Sequence, residues 1–372
     1  MMQLMRLSRL SILLAMVLTA VGCGSTGVST REPTHRVPIA PDCRVARTTG
    51  DVSALLRADG EIVILGGGLD LLRSDDLGGS WHREVLPVTC RWPSLIEVDG
   101  RLLVSCSERR PPSRLLVFAE TPDGDWSEPV LVDTSEELFI DTNLQTTATG
   151  ELLLFATHID RPDDLDDAVY TIRTYRSGDG GRGWTAAGTV AKARRGVHLE
   201  DTRSVELGDG SLLLVYEYEK TEAGPSRVVQ LRSTDVGRSW SKSRVIWQGS
   251  DLEPGGYVRF ADGELWLVAS SDASAGGGSY DRATIMARRS SDDGRSWSQP
   301  IVLVNREDQI SFGGVVIPED RILLPSLRHY SHRKQRSLSV YVVDRNGAGS
   351  TARCAVTTLS RVGFEGEVGP QR

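Results

Sequence analysis

The feature that most constrains the fold of this 372-residue chain is an eight-residue pattern that recurs along it. The pattern has the form Ser-x-Asp-x-Gly-x-Ser-Trp and occurs in full or nearly in full at residues 74–81, 177–184, 233–240 and 290–297. A shortened copy lies at 123–126, so that the five tryptophans are 45, 58, 56 and 57 residues apart. Similarity at such a period is typical of a repeat architecture.

The residue types in this pattern are those of a turn that holds itself together. Serine and aspartate side chains can accept hydrogen bonds from the backbone N–H groups of their own turn. Glycine permits a positive φ where the chain folds back, and tryptophan supplies a large apolar surface that can lock the turn onto a neighbour. Each copy therefore predicts a tight turn between two strands.

A second repeated signal predicts six β-hairpins. In each hairpin a polar turn, usually Asp-Gly, precedes a short continuous apolar run, which suits a strand buried on both faces. The apolar runs are 62–65, 102–104, 152–155, 212–215, 265–268 and 322–324. No long stretch has convincing helical periodicity, so we predict an all-β protein.

The octapeptide resembles the Asp-box of the sialidase (neuraminidase) superfamily and related β-propellers. This resemblance implies a single six-bladed β-propeller of four-stranded antiparallel blades over residues 48–360, followed by a C-terminal tail over 361–372. The predicted blades are 48–88, 89–133, 137–192, 196–248, 250–304 and 308–360. In that family the Asp-boxes lie on the face away from the active site. We therefore expect the site on the opposite face, among the loops before each first strand and after each second strand.

Two motifs in the second blade resemble the arginine motifs of sialidases. Arg-Trp-Pro at 91–93 precedes a predicted strand, and Glu108-x-Arg110 ends its hairpin partner, where the family has Arg-Ile-Pro and Glu-x-Arg. In the family the two arginines help to bind the substrate carboxylate, which suits the planar guanidinium group. Arg91, Glu108 and Arg110 are therefore candidate substrate-binding residues, and Arg328 in the sixth blade is a third arginine for the same role. The alternative is that these arginines only brace loops.

Tyr330 is the candidate nucleophile, with Glu200, Asp201 or Glu217 as the carboxylate that takes its proton, as in sialidases. The resemblance is incomplete, because no aspartate follows Glu108-x-Arg110 and no arginine ends the hairpin at Glu217. Three functions stay open: an exo-acting hydrolase of terminal sialic acid or a related acidic sugar, a non-catalytic propeller that binds glycan or protein, and a neutral-sugar glycosidase with two carboxylates such as Glu200 and Glu217.

Residues 1–22 have the pattern of a secretory signal. Arg6 and Arg9 precede a short apolar segment, and small residues then lead to Cys23, which resembles a bacterial lipobox. The resemblance implies a lipid on Cys23, a flexible tether over 23–47 and an exported, membrane-anchored lipoprotein in the periplasm or at the cell surface. The alternative is an ordinary signal peptide with a chance cysteine.

The charge of the chain argues against a nucleic-acid partner. The net charge is −7, and it becomes about −9 when the two arginines of the signal are removed, whereas nucleic-acid binding needs a basic patch. No motif predicts a metal or another cofactor. The expected partner is a glycan or another carbohydrate ligand, bound by a monomer.

The cysteines after Cys23 are even in number, which is compatible with disulfides in an exported chain. Cys43 and Cys354 lie near the two ends of the globular part, and a ring-shaped fold brings those ends together. Cys90 and Cys106 flank one predicted hairpin. Of the three possible pairings we favour Cys43–Cys354 with Cys90–Cys106; the alternative is four buried free thiols.

Overall fold

The computed structural model describes a ring of six β-sheets. The residues it describes are 36–37, 44–48, 51–66, 70–86, 88, 91–160, 167–220, 224–250, 252–272, 283–304, 309–311, 313–329, 336–347 and 353–354. Apart from one 3-10 turn at Arg345–Gly347, all regular structure in these residues is β-strand. No helix in the described part of the chain is long and apolar enough to cross a membrane.

The strands of each blade follow one another from the central channel to the rim. Two short strands come before the first blade, β1 (Arg36–Val37) and β2 (Arg44–Thr48). The first blade is formed by β3 (Val52–Leu56), β4 (Ile62–Gly66), β5 (Asp70–Ser74) and β6 (Trp81–Val85). The second is formed by β7 (Arg91–Val98), β8 (Arg101–Ser107), β9 (Ser113–Ala119) and β10 (Val130–Ser135). The third is formed by β11 (Leu138–Thr146), β12 (Leu152–Asp160), β13 (Val169–Ser177) and β14 (Thr185–Lys192).

The last three blades continue the same order. The fourth is formed by β15 (Val197–Glu206), β16 (Leu212–Lys220), β17 (Ser226–Ser233) and β18 (Arg244–Gly249). The fifth is formed by β19 (Glu253–Arg259), β20 (Leu265–Asp272), β21 (Ala283–Ser290) and β22 (Ile301–Val304). The sixth is formed by β23 (Gln309–Ser311), β24 (Val315–Ile317), β25 (Arg321–His329), β26 (Arg336–Asp344) and β27 (Arg353–Cys354). The pairings within the blades are antiparallel, and the predicted six-bladed propeller is confirmed.

The second strand of each blade forms the core, as β4 illustrates. All five of its residues are buried. Ile62 and Ile64 pack into an apolar cluster shared with the sixth blade, whereas Val63 and Leu65 pack into one shared with the second blade. Because both faces of the strand meet a neighbouring blade, its sequence is a continuous apolar run rather than an alternating one.

The Asp-box of the fifth blade shows how the turn is stabilised. The hydroxyl of Ser290 donates to Asp292 Oδ1 (2.8 Å) and accepts from the N–H of Gly294 (2.8 Å). Asp292 also accepts from the hydroxyl of Ser296 (2.6 Å) and from its N–H (2.8 Å). These hydrogen bonds favour the ionised carboxylate and lower the pKa of Asp292 to about 2. The other three boxes repeat the arrangement, although the third blade has glycine in place of the second serine.

The Asp-boxes of the third, fourth and fifth blades also pack against the preceding blade. Gly294, at φ +73°, lies so close to the fourth blade that an added Cβ would be 2.6 Å from Leu213 Cδ1. Gln230 of the fourth blade accepts from the indole N–H of Trp297 (3.0 Å) and donates to the carbonyl of Gly294 (3.0 Å). The repeat therefore joins neighbouring blades as well as closing its own turn.

The sixth blade has no Asp-box and is tied to its neighbour by ion pairs. Arg345, in the turn after β26, lies 2.6 Å from an oxygen of Asp262 and 2.7 Å from an oxygen of Glu264, both in the fifth blade. At the boundary of the first and second blades, the shortened copy uses its tryptophan, since the Trp126 indole donates to Glu84 (2.7 Å). In the sixth blade the ion pairs of Arg345 therefore take the place of the missing Asp-box in joining it to the fifth blade.

A strand from before the first blade closes the ring. β2 pairs with β26, with Thr48 opposite Arg336, and β1 adds an edge strand to the first blade. Part of the tether predicted over 23–47 is therefore strand. The physical reason is that β27 pairs with only two residues of β26. Without β2 the rest of that edge would leave backbone N–H and C=O groups unpaired.

The four box tryptophans differ in how deeply they are buried. Trp81 is fully buried, whereas Trp184, Trp240 and Trp297 are half-buried. The difference arises because β1 covers the first blade at this point, with Val37 opposite Trp81. The tryptophans of the other three blades have no such added strand among the described residues.

Replacement of these tryptophans by alanine should therefore have unequal costs. Trp81→Ala should lower the free energy of unfolding by about 3–5 kcal/mol, as expected for a large core aromatic. Trp184→Ala should cost less, because part of its surface is already exposed. Equilibrium urea unfolding followed by circular dichroism measures both. Equal costs at the two positions would contradict the packing described above.

Candidate functional site

A cavity of about 140 Å³ lies at the centre of the ring. The first strands of all six blades line it, through residues 51–54, 92–95, 141–144, 203–204, 255–257 and 313–314. These strands begin on the face opposite the Asp-boxes, which we call the mouth face. Since alternate strands run in opposite directions, the ends of the second strands meet at the same face, as predicted from the sequence.

Hydrogen bonds between neighbouring blades fix the position of the lining strands. The hydroxyl of Ser53 in the first blade accepts from the N–H of Leu95 in the second (3.1 Å). The hydroxyl of Ser94 in the second blade accepts in the same way from the N–H of Leu144 in the third (2.9 Å). These hydrogen bonds connect the cavity wall across the first, second and third blades.

A bulge recurs where four of these strands reach the cavity. The pairing of the first with the second strand shifts its register in the second, third, fourth and fifth blades. At the shifts of the second, third and fourth blades one non-glycine residue has a positive φ: Trp92 (+50°), Asp141 (+51°) and Asp201 (+55°). Bulges re-aim side chains and are frequent next to active sites. This irregularity of the repeat thus coincides with the cavity wall.

Asp141 is the most strongly perturbed acid at the cavity. Its side chain is only 5% exposed. Burial, followed by the charges of Asp201, Asp51 and Glu200, raises the pKa of Asp141 well above its usual value, and Arg203 offsets this only in part. The carboxyl also accepts a hydrogen bond from the N–H of Asp201 (2.9 Å). A carboxyl that keeps its proton near neutral pH can act as a general acid.

The carboxylates around Asp141 differ in their partners. Glu200 is about one-third exposed, with an oxygen 3.9 Å from His198 Nδ1. Asp201 lies 3.5 Å from the guanidinium of Arg203, which also donates to the carbonyl of Gly255 (3.0 Å). Arg203 therefore has backbone and carboxylate partners before any ligand binds. In the described residues no group of three or more His, Cys, Asp or Glu side chains is arranged to hold a metal ion.

Tyr170 is a phenol close to the same carboxylates. Its ring stacks on His198 with the centroids 4.7 Å apart. Burial and then the charges of Glu200, Asp141 and Glu219 raise the pKa of Tyr170 above its ordinary value. This environment disfavours the phenolate, so Tyr170 is a poor nucleophile where it stands.

The predicted arginine motif lies at the mouth face, but the carboxylate of its Glu108 already binds Arg114. Arg91 begins β7 opposite Ser107 and is half-buried. Both carboxylate oxygens of Glu108 accept from Arg114, at 2.7 and 2.5 Å. Glu108 therefore braces the turn between β8 and β9, while Arg110 is exposed in that turn. Convergence of Arg91 and Arg110 on one ligand stays a prediction.

The two predicted glutamates do lie side by side. Glu200 and Glu217 are opposite each other in the pairing of β15 with β16. Glu217 is buried, at 2% exposure, so it is less accessible to a ligand than Glu200.

Several predicted residues are outside what the structure describes. Tyr330 is one of them, and for Arg328 only the backbone position in β25 is described, opposite Gln309. Cys106 forms a disulfide, so the alternative of four free thiols is wrong. The proposed partner Cys90 lies outside the described residues, as do Cys23, Cys43 and the side chain of Cys354, so the pairings stay predictions.

Asp51 and Asp141 had no predicted role, whereas Asp201 was predicted, with Glu200 and Glu217, as a possible proton acceptor for Tyr330. One signal was present, because an Asp-Thr pair recurs at 141–142 and 201–202. In both pairs the aspartate has the positive φ of the bulge. A comparison of first strands, rather than of turns, would have found them.

A family model described as BNR repeat-like domain matches residues 114–348, more than half of the chain. No curated protein sequence matches this chain.

Several solved structures share the fold at low sequence identity. An alpha-L-arabinanase of Penicillium chrysogenum in complex with arabinobiose is 15% identical, has a TM-score of 0.59 and covers 83% of this chain and 98% of its own. An alpha-L-arabinofuranosidase of Fusarium graminearum in complex with an iminosugar inhibitor is 15% identical, with a TM-score of 0.61 and coverage of 85% and 99%. A Hadza microbial sialidase is 15% identical, with a TM-score of 0.57 and coverage of 87% and 71%. These likenesses show the fold alone.

The raised pKa of Asp141 should make stability depend on pH. Because the folded state binds the proton more tightly than the unfolded state, wild-type stability should fall as pH rises above about 4, by ~1.4 kcal/mol for each unit of the pKa rise. Asp141→Asn should remove this loss. Its stability relative to wild type should therefore increase from pH 5 to pH 8 in urea unfolding.

Asp292→Asn is the matched control for this experiment. The pKa of Asp292 is lowered to about 2, so its contribution is complete above pH 4 and is lost only at lower pH. The difference between Asp292→Asn and wild type should be constant from pH 5 to pH 8. A constant difference for Asp141→Asn as well would contradict the raised pKa.

Proposed function

This chain belongs to the BNR repeat-like domain family, and on that premise we propose that it is a glycoside hydrolase that cleaves a neutral sugar at its central cavity. The observation that carries the proposal is the buried Asp141 carboxyl beside ionisable Asp51, Glu200 and Asp201. Glycosidases of most families use one protonated and one ionised carboxyl group. The environment of Asp141 favours the protonated form that the general acid needs.

The proposed general acid is Asp141. Its proton would pass to the glycosidic oxygen while the bond between that oxygen and the anomeric carbon breaks. The leaving group, which keeps this oxygen, would then depart as an alcohol. Glu200 is the proposed second carboxylate, since it is the more exposed acid of the pair that it forms with Glu217. It would stabilise positive charge at the anomeric carbon and accept a proton from the water that attacks this carbon, so that the sugar is released with a new hydroxyl group.

A neutral sugar fits the charge of the cavity better than an acidic one. Several carboxylates surround Asp141, whereas Arg203 is already held by Asp201 and by the carbonyl of Gly255. A sugar carboxylate placed there would meet like charge in a poorly hydrated site, which is unfavourable. The arabinobiose bound to the Penicillium chrysogenum relative is a neutral sugar of the proposed kind.

An acidic sugar is the second candidate, favoured by a pair of arginines at the mouth face. Arg109 and Arg110 are adjacent in the turn between β8 and β9, and burial and the charge of Arg110 lower the pKa of Arg109. In the described residues neither forms an ion pair with a carboxylate. A bound anion would relieve their repulsion, and the Hadza microbial sialidase shares the fold.

A hydrolysis screen separates these functions. We expect turnover of 4-nitrophenyl α-L-arabinofuranoside or another neutral aryl glycoside, and none of a sialyl aryl glycoside. Asp141→Asn and Glu200→Gln should each lower kcat by about 100-fold or more, as expected for loss of an acid or base. Asp123→Asn, in an exposed turn on the Asp-box face, is the matched control and should be unchanged.

Other results of the screen would favour the alternatives. Turnover of the sialyl substrate that Arg110→Ala abolishes would favour the acidic sugar. Binding of a glycan without turnover of any substrate would favour a non-catalytic propeller that recognises glycans.

We also propose that the protein is an exported lipoprotein anchored through Cys23, from the small residues that precede this cysteine. Cys23→Ser should move the protein from the membrane fraction to the soluble extracytoplasmic fraction. Cell fractionation with immunoblotting measures this. A wild-type protein that is fully soluble after export would show that Cys23 carries no anchor.

A further inference from the structure

Trp92 has an unusual backbone conformation at the wall of the central cavity. It lines the cavity and has a φ of +50°. Bulky residues rarely adopt a positive φ, and such outliers persist where the surrounding structure holds them in place. The bulge lies between Arg91 and Ser94, where the pairing with β8 shifts register.

Two buried hydroxyl groups hold this conformation. The hydroxyl of Thr142 in the third blade donates to the carbonyl of Trp92 (2.6 Å). The hydroxyl of Ser105 in turn donates to that of Thr142 (2.8 Å). Thr142 is 3% exposed and Ser105 is completely buried. The position of Trp92 is thus set by a hydrogen-bonded chain that crosses the boundary between two blades.

The indole is supported by the core while part of it stays accessible. Trp92 is half-buried and packs against the apolar cluster shared by the third and fourth blades. An aromatic side chain that is backed by the core and borders a cavity has the form of a ligand platform.

Other positions on the cavity wall carry no side chain. Gly255, Gly256, Gly313 and Gly314 supply the lining from the fifth and sixth blades. A Cβ at Gly314 would lie 2.7 Å from Leu324 Cδ2, so a side chain does not fit there. Only backbone therefore borders the cavity in the fifth and sixth blades, whereas the third and fourth blades contribute the carboxylates.

We propose that Trp92 is the stacking surface for the sugar ring in this cavity and sets its preference for a neutral furanose or pyranose with an exposed C–H face. This inference rests on the proposed glycoside hydrolase function and names a binding residue of the same site. Apolar C–H groups of a sugar pack well on the electron-rich face of an indole, whereas a carboxylate gains nothing from that face. Trp92 contributes binding, and the carboxylates contribute bond cleavage.

The test compares Trp92→Phe with Trp92→Leu. Both keep apolar volume against the core, but only phenylalanine keeps an aromatic face. The substrate is whichever of 4-nitrophenyl α-L-arabinofuranoside, β-D-galactopyranoside and β-D-glucopyranoside the wild type cleaves fastest. We expect Trp92→Leu to raise KM about tenfold or more, with kcat within about threefold, and Trp92→Phe to lie between it and wild type. Trp126→Phe, on the Asp-box face, should leave both constants unchanged.

Direct binding of arabinobiose, measured by titration calorimetry, separates failure of this inference from failure of the proposed function. Glu200→Gln should retain binding and lose turnover, whereas Trp92→Leu should lose binding. A folded Trp92→Leu variant with KM and affinity within twofold of wild type would overturn the stacking role and leave the hydrolase function standing. A wild type that neither cleaves the three glycosides nor binds arabinobiose would overturn the proposed function and Trp92's role with it. Thermal melting of every variant confirms that it is folded.

Discussion

The hydrogen bonds between an Asp-box aspartate and its own turn are the constraint on which the rest of the propeller depends. In the fifth blade they shape the turn so that Gly294, without a side chain, meets Leu213 of the preceding blade at a distance that no Cβ would allow. Neighbouring blades are thereby held in a defined relation to each other. Where the box is absent, Arg345 makes the equivalent tie through two carboxylates.

The turns and hairpins could be predicted from the sequence because their interactions are local. Ser290, Asp292 and Gly294 contact one another within a single turn, so their spacing in the chain determines their structure. The chemistry of the cavity is not local. Asp141 owes its raised pKa to burial and to acids of other blades, and Glu108, at the family's spacing, is instead bound by Arg114. The spacing of residues in the sequence therefore predicted the propeller fold better than the residues of the candidate site.

Energetically unfavourable groups, namely neighbouring carboxylates and residues with a positive φ, are concentrated at the cavity. Several carboxylates lie near one another, and two lining residues, Trp92 and Asp141, have a positive φ that is uncommon for side chains with a Cβ. Such arrangements lower stability and persist only where the surrounding structure is rigid. The hydrogen bonds from Leu95 to Ser53 and from Leu144 to Ser94 provide that rigidity across three blades. Regular turns on one face thus support an irregular wall within the ring.

Closure of the ring by β2 has a consequence for how the protein is made. Thr48 pairs with Arg336, so one of the first strands to be synthesised has its partner near the end of the chain. At ~5–20 residues per second, the interval between them is roughly fifteen seconds to a minute. During this time β2 has no native partner and can pair with other exposed strand edges, which is a route to aggregation. A circular permutant that placed β2 directly after β26 would make this contact local and remove the delay.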